Sequence, residues 1–528
     1  MDLFAPATTR RRFLRLLGQG ALAAALPAPL WAANADTVTL SILHTTDLHG
    51  HILPTTDYAG RADLGGLARC ASQLRQWRRD NPNSLLLDIG DVYQGTELGL
   101  RTRGATMIRC LNALNYDAWV VGNHEFDWGP DAFAASVAAS HMPVLSGNAR
   151  VEGKPLGVAS GPLAKIRPWL LKEIAGIRLA VISATTPALT SWLPPENLAG
   201  FEVLDPIEAL RPLLREIAAA KPDAIVLAGH MGLTRVDDLA NRVGVLTREF
   251  PQLAVCLGGH THQNHSSDTI NNVLYTQADH YGIYAGRVDL TFDRTSRKPV
   301  HRSANTVHMD HEIPLDPLIL SLAHDDLDAA DHVLAQPIGE LTETFGVDSS
   351  FGQPSDVERL IASGMVAALR QKGIEVDAVM HGLFDKQHAF TPGAKTIADA
   401  WTVLPYENQI VTVELPYTDL LVFARELGGA SLDPRNLMGL RVAGAATGKT
   451  FRVDALLAAN GAPLPAKPAY RVALNSYDSQ SAGERFPGIG RLVAQPSSRR
   501  RLHSIQIRDA LIDFFVARQK VSRASLLV

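Results

Sequence analysis

Polar residues that can bind metal ions follow five apolar runs in the first half of the chain. The runs, such as 40–43 and 85–87, predict buried strands. In an open sheet flanked by helices, functional groups collect at the carboxyl ends of the strands. Seven side chains are therefore expected to converge there: Asp47, His49, Asp91, Asn123, His230, His260 and His262.

Seven donors are too many for one metal ion and suit two. Nitrogen and oxygen ligands of these types fit Mn, Fe or Zn, and Asp91 is expected to bridge the pair. Two ions roughly 4 Å apart are a standard device for hydrolysing phosphate esters, because they make hydroxide from bound water and neutralise charge in the transition state. The pattern thus predicts a two-metal hydrolase.

The spacing of these residues also constrains the backbone. Asp47 and His49 are two residues apart, as are His260 and His262, so an extended chain points each pair the same way. Glycines precede four ligand positions, where we expect the backbone to turn tightly. These glycines are Gly90, Gly122, Gly229 and Gly259.

Strands and helices are predicted to alternate around these positions. Helical spacing of apolar residues predicts a helix that begins at Leu67, and further helices are expected near 105–114 and 207–220. The alternation indicates an α/β fold. Two later strands, at 273–277 and 286–292, are expected to be antiparallel. The earlier strands are predicted at 37–43, 84–90, 118–121, 177–184, 223–229 and 254–258.

The second half of the sequence also predicts an α/β unit, with a different spacing of strands and helices. A helical pattern from Pro314 to Ala335 is stopped by Pro337, which marks a domain boundary. Ser355 and Glu358 form a capping box that opens a helix at 356–371. Short strands are predicted at 376–380, 409–415 and 470–475. The expected domains are 36–312 and 341–528, with a linker helix at 313–340.

The amino terminus resembles an export signal. Residues 9–15, Thr-Arg-Arg-Arg-Phe-Leu-Arg, match the twin-arginine pattern, and an apolar stretch and an Ala-x-Ala site at 33–35 follow. A signal peptide at 1–35 implies the twin-arginine export machinery as a partner and a periplasmic enzyme. No later run is long enough for a membrane span in the mature form.

Composition also excludes some classes of protein. The 528 residues carry a net charge of −4, which offers no argument for binding a nucleic-acid polymer. Three cysteines cannot form a disulfide framework. The length favours two or more domains of a soluble enzyme.

The order of the motifs resembles that of the calcineurin-like metallophosphoesterases, and the quoted residues are similar to the bacterial periplasmic 5′-nucleotidase branch. The motifs are Asp-x-His at 47–49, Gly-Asp at 90–91, Gly-Asn-His-Glu at 122–125, Gly-His at 229–230 and Gly-His-Thr-His at 259–262. The resemblance implies a two-layered β-sandwich flanked by helices, followed by a smaller α/β domain.

The resemblance also implies roles for these residues. Asp91 would be shared by both ions, His124 would stabilise the transition state and protonate the leaving oxygen, and Asp127 would orient His124. One ion would take Asp47, His49, Asp91 and His262. The other would take Asp91, Asn123, His230 and His260.

Two aromatic segments in the second half resemble the family's base clamp. In that clamp two aromatic rings sandwich the base and an Asn binds its edge, which implies such roles for Tyr406, Tyr477 and Asn408. Stacking of this kind contributes roughly 1–3 kcal/mol per base. A small phosphate ester, with a nucleotide expected, is therefore the implied substrate.

The sequence departs from the family in two places. The Arg of an Asn-Gly-Gly-x-Arg-like segment is missing at 380–388, and the Gly-Gly-Asp-Gly element reads Ala-Gly-Glu-Arg-Phe at 482–486. Lys386, His388 or Arg485 could substitute. Phosphoester chemistry is thus better supported than nucleotide specificity.

Three alternatives remain open beside a 5′-nucleotidase. A 2′,3′-cyclic nucleotide phosphodiesterase would use the same ligands. A thiosulfohydrolase of the sulfur-oxidation branch is disfavoured, because that branch has Gly-His-Trp-Glu where this chain has Gly-Asn-His-Glu at 122–125. A non-catalytic binding protein would not need His124 and Asp127.

Overall fold

The computed structural model describes residues 36–158, 160–383, 389–430 and 435–528. The expected signal peptide at 1–35 lies outside the described residues, as do Lys386 and His388. Statements about the structure below therefore refer to the described ranges.

Two sheets face one another in the first half of the described chain. The first has seven strands, in the spatial order Pro299–His308, Tyr284–Asp293, Thr37–Thr45, Ser84–Asp88, Ala118–Val120, Val144–Leu145 and Ile166–Arg167. The second has six strands, in the order Asn264–Ile270, Val273–Ala278, Val255–Gly258, Ala224–His230, Ile177–Thr185 and Trp169–Ile174. A small sheet of Phe201–Val203, Ala149–Val151 and Lys154–Pro155 lies beside them.

Apolar side chains on both faces of the strands explain why the two sheets pack against each other and against the helices. Leu85 and Leu87 belong to the core between the two sheets, and Leu86 belongs to the core beneath the helices. Successive side chains of a strand point to opposite faces, so an unbroken apolar run is buried on both sides. The helices of this half are Leu67–Asp80, Glu97–Thr102, Ala105–Ala113, Gly129–Ala139, Pro195–Leu198, Pro206–Ala219, Val243–Glu249 and Pro317–Leu334.

The pairing of the late strands differs in part from the expectation. Tyr284–Asp293 is antiparallel to Thr37–Thr45, as expected. Val273–Ala278, in contrast, is parallel to Val255–Gly258 and antiparallel only to Asn264–Ile270. Strand direction depends on which strand lies alongside, and a local apolar pattern carries no such information.

The second half is a smaller α/β unit. Its five-stranded sheet has the order Asn436–Met438, Ala378–His381, Tyr470–Asn475, Gln409–Leu415 and Arg501–Gln506. Its other described strands are Gly393–Thr396, Pro337–Leu341, Lys520–Val521, Leu440–Thr447 and Thr450–Ala458. Its described helices are Asp356–Gln371, Ile397–Val403, Tyr417–Gly429, Ser476–Ser479, Pro487–Ala494 and Ile507–Arg518. The predicted fold class, a sandwich with outer helices followed by a second α/β unit, is confirmed.

The long helix Pro317–Leu334 packs on the first half. Asp316 caps it by accepting from two backbone N–H groups and also pairs with Arg75 at 2.7 Å. Its apolar face contributes to the core beneath the first sheet. The strand Pro337–Leu341 begins inside the range expected for the linker. Among the described helices, none combines the length and apolar character that a bilayer crossing requires.

Candidate active site

The structure brings the seven predicted metal-binding residues together at one edge of the facing sheets. Six of them fall into two groups, each with donor atoms within 4.8 Å of one another. The first group is Asp47, His49 and His262, and the second is Asp91, His230 and His260. Asn123 follows the strand Ala118–Val120 and lines the same cleft as His260.

Asp91, a member of the second group, also faces the first group. Its Oδ2 is 3.0 Å from Nε2 of His230 and 3.9 Å from Nε2 of His49. Its Oδ1 accepts a hydrogen bond from the backbone N–H of His124 at 2.8 Å. One carboxylate oxygen is therefore fixed by the backbone, while the other faces imidazoles of both groups.

Three of the imidazoles are oriented by a hydrogen bond at Nδ1. His49 bonds the carbonyl of Gln94 at 2.7 Å, and His230 bonds the carbonyl of Ile89 at 2.7 Å. Nδ1 of His262 bonds the hydroxyl of Tyr58 at 2.7 Å. Such partners fix the ring and leave Nε2 to face the cluster, which is the usual arrangement of metal-binding histidines.

The donor set fits two divalent cations. The side-chain oxygen of Asn123 is buried and has no hydrogen-bond partner among the described residues, so it is available as a neutral oxygen ligand. Carboxylate, amide and imidazole donors together suit first-row divalent metals. Family resemblance and geometry thus point to the same pair of sites.

Opposite charges face one another across the cluster. Burial would raise the pKa of Asp47, but His230 and His262 outweigh it and lower that pKa to about 2. Burial likewise opposes ionisation of Asp91, yet the facing His230 lowers its pKa well below the usual range. Burial lowers the pKa of His260 to about 3. The two carboxylates are therefore anionic, the state that binds metals, whereas Asp91 and Asp47 outweigh burial and raise the pKa of His230 to about 10, so a metal ion would displace its proton on binding.

The backbone turns differently from the expectation. Of the four glycines that precede ligands, only Gly90 has a positive φ, at 100°. The ligands themselves take the left-handed region, with φ of 50° at Asp47, 56° at Asp91 and 73° at His260. His49 and His262 do the same. Non-glycine residues in this region cost of order 1–3 kcal/mol each and cluster at functional sites.

Close packing explains the glycine at position 122. A Cβ there would lie 2.3 Å from Asp91 Oδ1. Glu125, to which the sequence assigned no role, accepts hydrogen bonds from the N–H groups of Asp91, Val92 and Gly122 at 3.0, 2.8 and 2.6 Å. The buried Glu125 carboxylate therefore joins the two loops that carry Asp91 and Asn123.

His124 and Asp127 lie beside the cluster in hydrogen-bond contact. Nδ1 of His124 is 2.6 Å from Oδ2 of Asp127. Burial disfavours the charged imidazole, but Asp127 and Asp91 outweigh it and raise the pKa of His124 to about 10. Burial raises the pKa of Asp127, against the effect of His124. The Asp127 carboxylate thus favours the protonated form of the His124 imidazole.

A cleft of about 760 Å³ runs from the cluster to the second half of the chain. Tyr406 stacks on His124, with ring centroids 6.1 Å apart and planes at 14°. Tyr477 and Asn408 line the same cleft. The side-chain oxygen of Asn408 accepts from the Tyr477 N–H at 3.3 Å, so Asn408 also fixes the turn that carries Tyr477.

The cleft wall contains residues that sequence reasoning missed. Tyr58 holds His262, Trp192 stacks obliquely on His260 at 4.8 Å, and Arg103 lines the cleft above Trp128. Their contacts join residues far apart in the chain, and no local pattern signals them.

The second half of the chain also contributes a guanidinium group to the cleft wall. Arg435 donates from Nε to both oxygens of the buried Asp478, at 3.0 and 3.3 Å. It lines the cleft together with Arg485, which the sequence had offered as a substitute cation. The cleft is therefore supplied with cations despite the missing Arg at 380–388.

Comparison with known proteins assigns both halves. The calcineurin-like phosphoesterase family matches residues 40–264. The 5′-nucleotidase C-terminal domain matches residues 337–491. The two matches together include the cluster of metal ligands and both tyrosines of the cleft.

Individual relatives agree with this assignment. The chain is 31% identical to a 5′-nucleotidase of Bos taurus over 340 residues, which are 60% of this chain and 55% of that protein. It thus spans about half the length of the relative it matches.

Solved structures show the same fold. A 5′-nucleotidase precursor of Thermus thermophilus superposes with a TM-score of 0.70 at 23% identity, covering 92% of this chain and 97% of the other. A putative 5′-nucleotidase of Staphylococcus aureus gives 0.74 at 18% identity, covering 90% and 96%.

Asp91→Asn tests the shared position between the groups. The variant should bind less metal per chain and lose turnover, because an amide offers one neutral oxygen where the carboxylate offers two charged ones. Metal content and phosphate release measure the two effects. The surface variant Asp131→Asn should match the parent. Retention of a full metal complement and most of the activity in Asp91→Asn would rule out a shared carboxylate.

Proposed function

The chain belongs to the calcineurin-like phosphoesterases and carries a 5′-nucleotidase C-terminal domain, and from this we propose that it hydrolyses phosphate monoesters, with 5′-nucleotides as substrates. The observation that carries the proposal is the His124–Asp127 pair between the two-group metal cluster and the tyrosine-lined cleft. A phosphoryl group bound at the cluster would place its ester oxygen on the cleft side.

The cluster would hold two divalent cations in the sets that the family resemblance implies. One set is Asp47, His49, Asp91 and His262. The other is Asp91, Asn123, His230 and His260. Bound cations supply Lewis acidity and lower the pKa of water. Nitrogen and oxygen donors of this kind bind Mn, Zn or Fe.

His124 would supply the proton for the leaving oxygen. Its Nδ1 is bonded to Asp127, which fixes the ring and favours the protonated imidazole. Asp127 in turn balances the positive charge on the ring. A protonated imidazole fixed beside the phosphoryl site is suited to general acid catalysis, because a leaving alkoxide requires a proton as the ester bond breaks.

The second half would select the substrate. Tyr406 and Tyr477 line one cleft with His124, a placement that supports base stacking next to the reacting phosphate. The relatives named 5′-nucleotidase support the same substrate class. A phosphate-release screen over nucleotides, 2′,3′-cyclic nucleotides and sugar phosphates, with Mn, Zn and Mg compared, tests it. Release confined to sugar phosphates would overturn the nucleotide assignment.

The amino-terminal sequence supports export to the periplasm by the twin-arginine route. Arg10 and Arg11 precede Phe13 and Leu14 in the pattern that this route reads. Replacing Arg10 and Arg11 by Lys should hold the protein in the cytoplasm, as cell fractionation would show. Unchanged periplasmic recovery would contradict this route.

His124→Ala should lower kcat by roughly 10²–10⁴-fold, the range for a lost general acid, while both cations remain bound. Its pH–rate profile should lose one limb with esters of poor leaving groups. The exposed His141→Ala serves as the control. A metal-depleted His124→Ala protein would instead make His124 a ligand.

Tyr406→Ala or Tyr477→Ala should raise KM for a nucleoside monophosphate roughly tenfold, about 1.4 kcal/mol. Hydrolysis of a small phosphate ester without a base should stay at the parent rate in Tyr477→Ala, because that substrate makes no use of this ring, whereas Tyr406→Ala also removes the ring that stacks on His124. Steady-state kinetics on both substrates separates the cases. Equal losses on the two substrates would show that the tyrosines only pack.

A further inference from the structure

A buried carboxylate joins the two halves of the chain next to the cleft. Glu407 follows Tyr406, and its side chain is 5% exposed. Its Oε2 accepts from Nε2 of Gln94, in the first half, at 2.8 Å. Its Oε1 accepts from Nη2 of Arg508, in the second half, at 2.8 Å. Each oxygen of Glu407 thus serves a different half of the molecule.

Gln94 connects this contact to the metal cluster. The residue is fully buried, and its backbone carbonyl accepts from Nδ1 of His49 at 2.7 Å. Its side-chain amide meets Glu407. One residue therefore orients a metal ligand with its backbone and holds the second half with its side chain.

Arg508, in the second half of the chain, holds Glu407 in place. Its Nη1 donates to the carbonyl of Leu404 at 2.8 Å, and its guanidinium lies 3.3 Å from the ring centroid of Trp401. The Arg508 side chain is only 4% exposed. A buried guanidinium strongly favours an anionic partner, and Arg508 bonds residues on both sides of Tyr406, Leu404 and Glu407.

An ion pair elsewhere between the halves provides the comparison. Arg500 donates to both oxygens of Glu196 at 2.8 and 3.2 Å. The Glu196 side chain is 49% exposed, and exposed pairs contribute little. Arg500 reaches neither Gln94 nor the segment around Tyr406 in any described hydrogen bond, so it joins the halves without touching the metal cluster.

We propose that Glu407 is a positioning residue that aligns Tyr406 and Asn408 with the metal cluster by binding the same Gln94 whose carbonyl orients His49. This inference rests on the proposed function, because it takes the cleft as the nucleotide site. The shared support couples the two subsites: a nucleoside held by the tyrosines stabilises the arrangement that also retains metal. Coupling between two sites is reciprocal in binding free energy.

Glu407→Gln tests the positioning role with little change of shape. The amide keeps one oxygen that can accept from Arg508 but removes the negative charge, and its NH₂ group faces Gln94, which must turn its own amide to accept from it, so the charge-assisted pairing with Arg508 is lost. KM for a nucleoside monophosphate should rise about tenfold, as expected for loss of one charge-assisted hydrogen bond. The rate on a base-free phosphate ester should stay within about twofold of the parent. Gln94→Met, which keeps the carbonyl for His49, should raise KM for the nucleoside monophosphate by a similar factor.

Metal release into a chelator provides a readout independent of turnover. Adenosine should slow release from the parent by about fivefold, the low end of usual coupling, and should have a smaller effect in Glu407→Gln and Gln94→Met. Arg500→Ala should behave as the parent in kinetics and in metal release. The parent thus carries a coupling that the two variants lose.

Three results would overturn the inference. They are a parental KM together with parental adenosine protection in Glu407→Gln, equal losses on both substrates, and a loss in Arg500→Ala as large as in Glu407→Gln. If Glu407→Gln fails to fold, Gln94→Met decides on the same readouts. A parent that releases no phosphate from nucleotides would overturn the proposed function instead, which is a distinguishable result.

Discussion

The crowding of charged and polar donors into one small volume is the constraint on which this structure depends. Two carboxylates, four imidazoles and an amide end five strands within a few ångströms of one another. Such groups can lie together only when their orientations are fixed and their charges are balanced. Backbone carbonyls fix His49 and His230, and the Glu125 carboxylate joins the loops of Asp91 and Asn123. The left-handed conformations of five ligands are the cost of aiming them all inward.

The second half of the chain determines on which side of this cluster a substrate would lie. The strand ends supply cation-binding groups on one side, and the segment around Tyr406 closes the other side of the cleft. His124 lies at the junction: its backbone N–H contacts Asp91, its ring contacts Asp127, and its face contacts Tyr406. Chemistry and recognition therefore meet at one imidazole. Arg435, held by the buried Asp478, contributes a guanidinium group to the wall.

Local sequence patterns predicted those parts of the structure that depend on local physics. The strand at 409–415, the strand at 470–475 and the helix at 356–371 coincide with the structure, because alternation, apolar runs and a capping box act within a few residues. The convergence of the seven donors was also predictable, since parallel strands bring their carboxyl ends to one edge. The direction of Val273–Ala278, the left-handed ligands and the partners Tyr58, Gln94 and Glu407 were not, because each depends on residues distant in the chain.

Anomalous X-ray diffraction from crystals grown with Mn²⁺ tests the central claim most directly. The account predicts two peaks per chain, roughly 3.5–4 Å apart as in other two-metal sites. One peak should lie beside Asp47 and His262, the other beside Asn123 and His260, with Asp91 between them. A single peak, or two peaks too far apart for Asp91 to reach both, would contradict it.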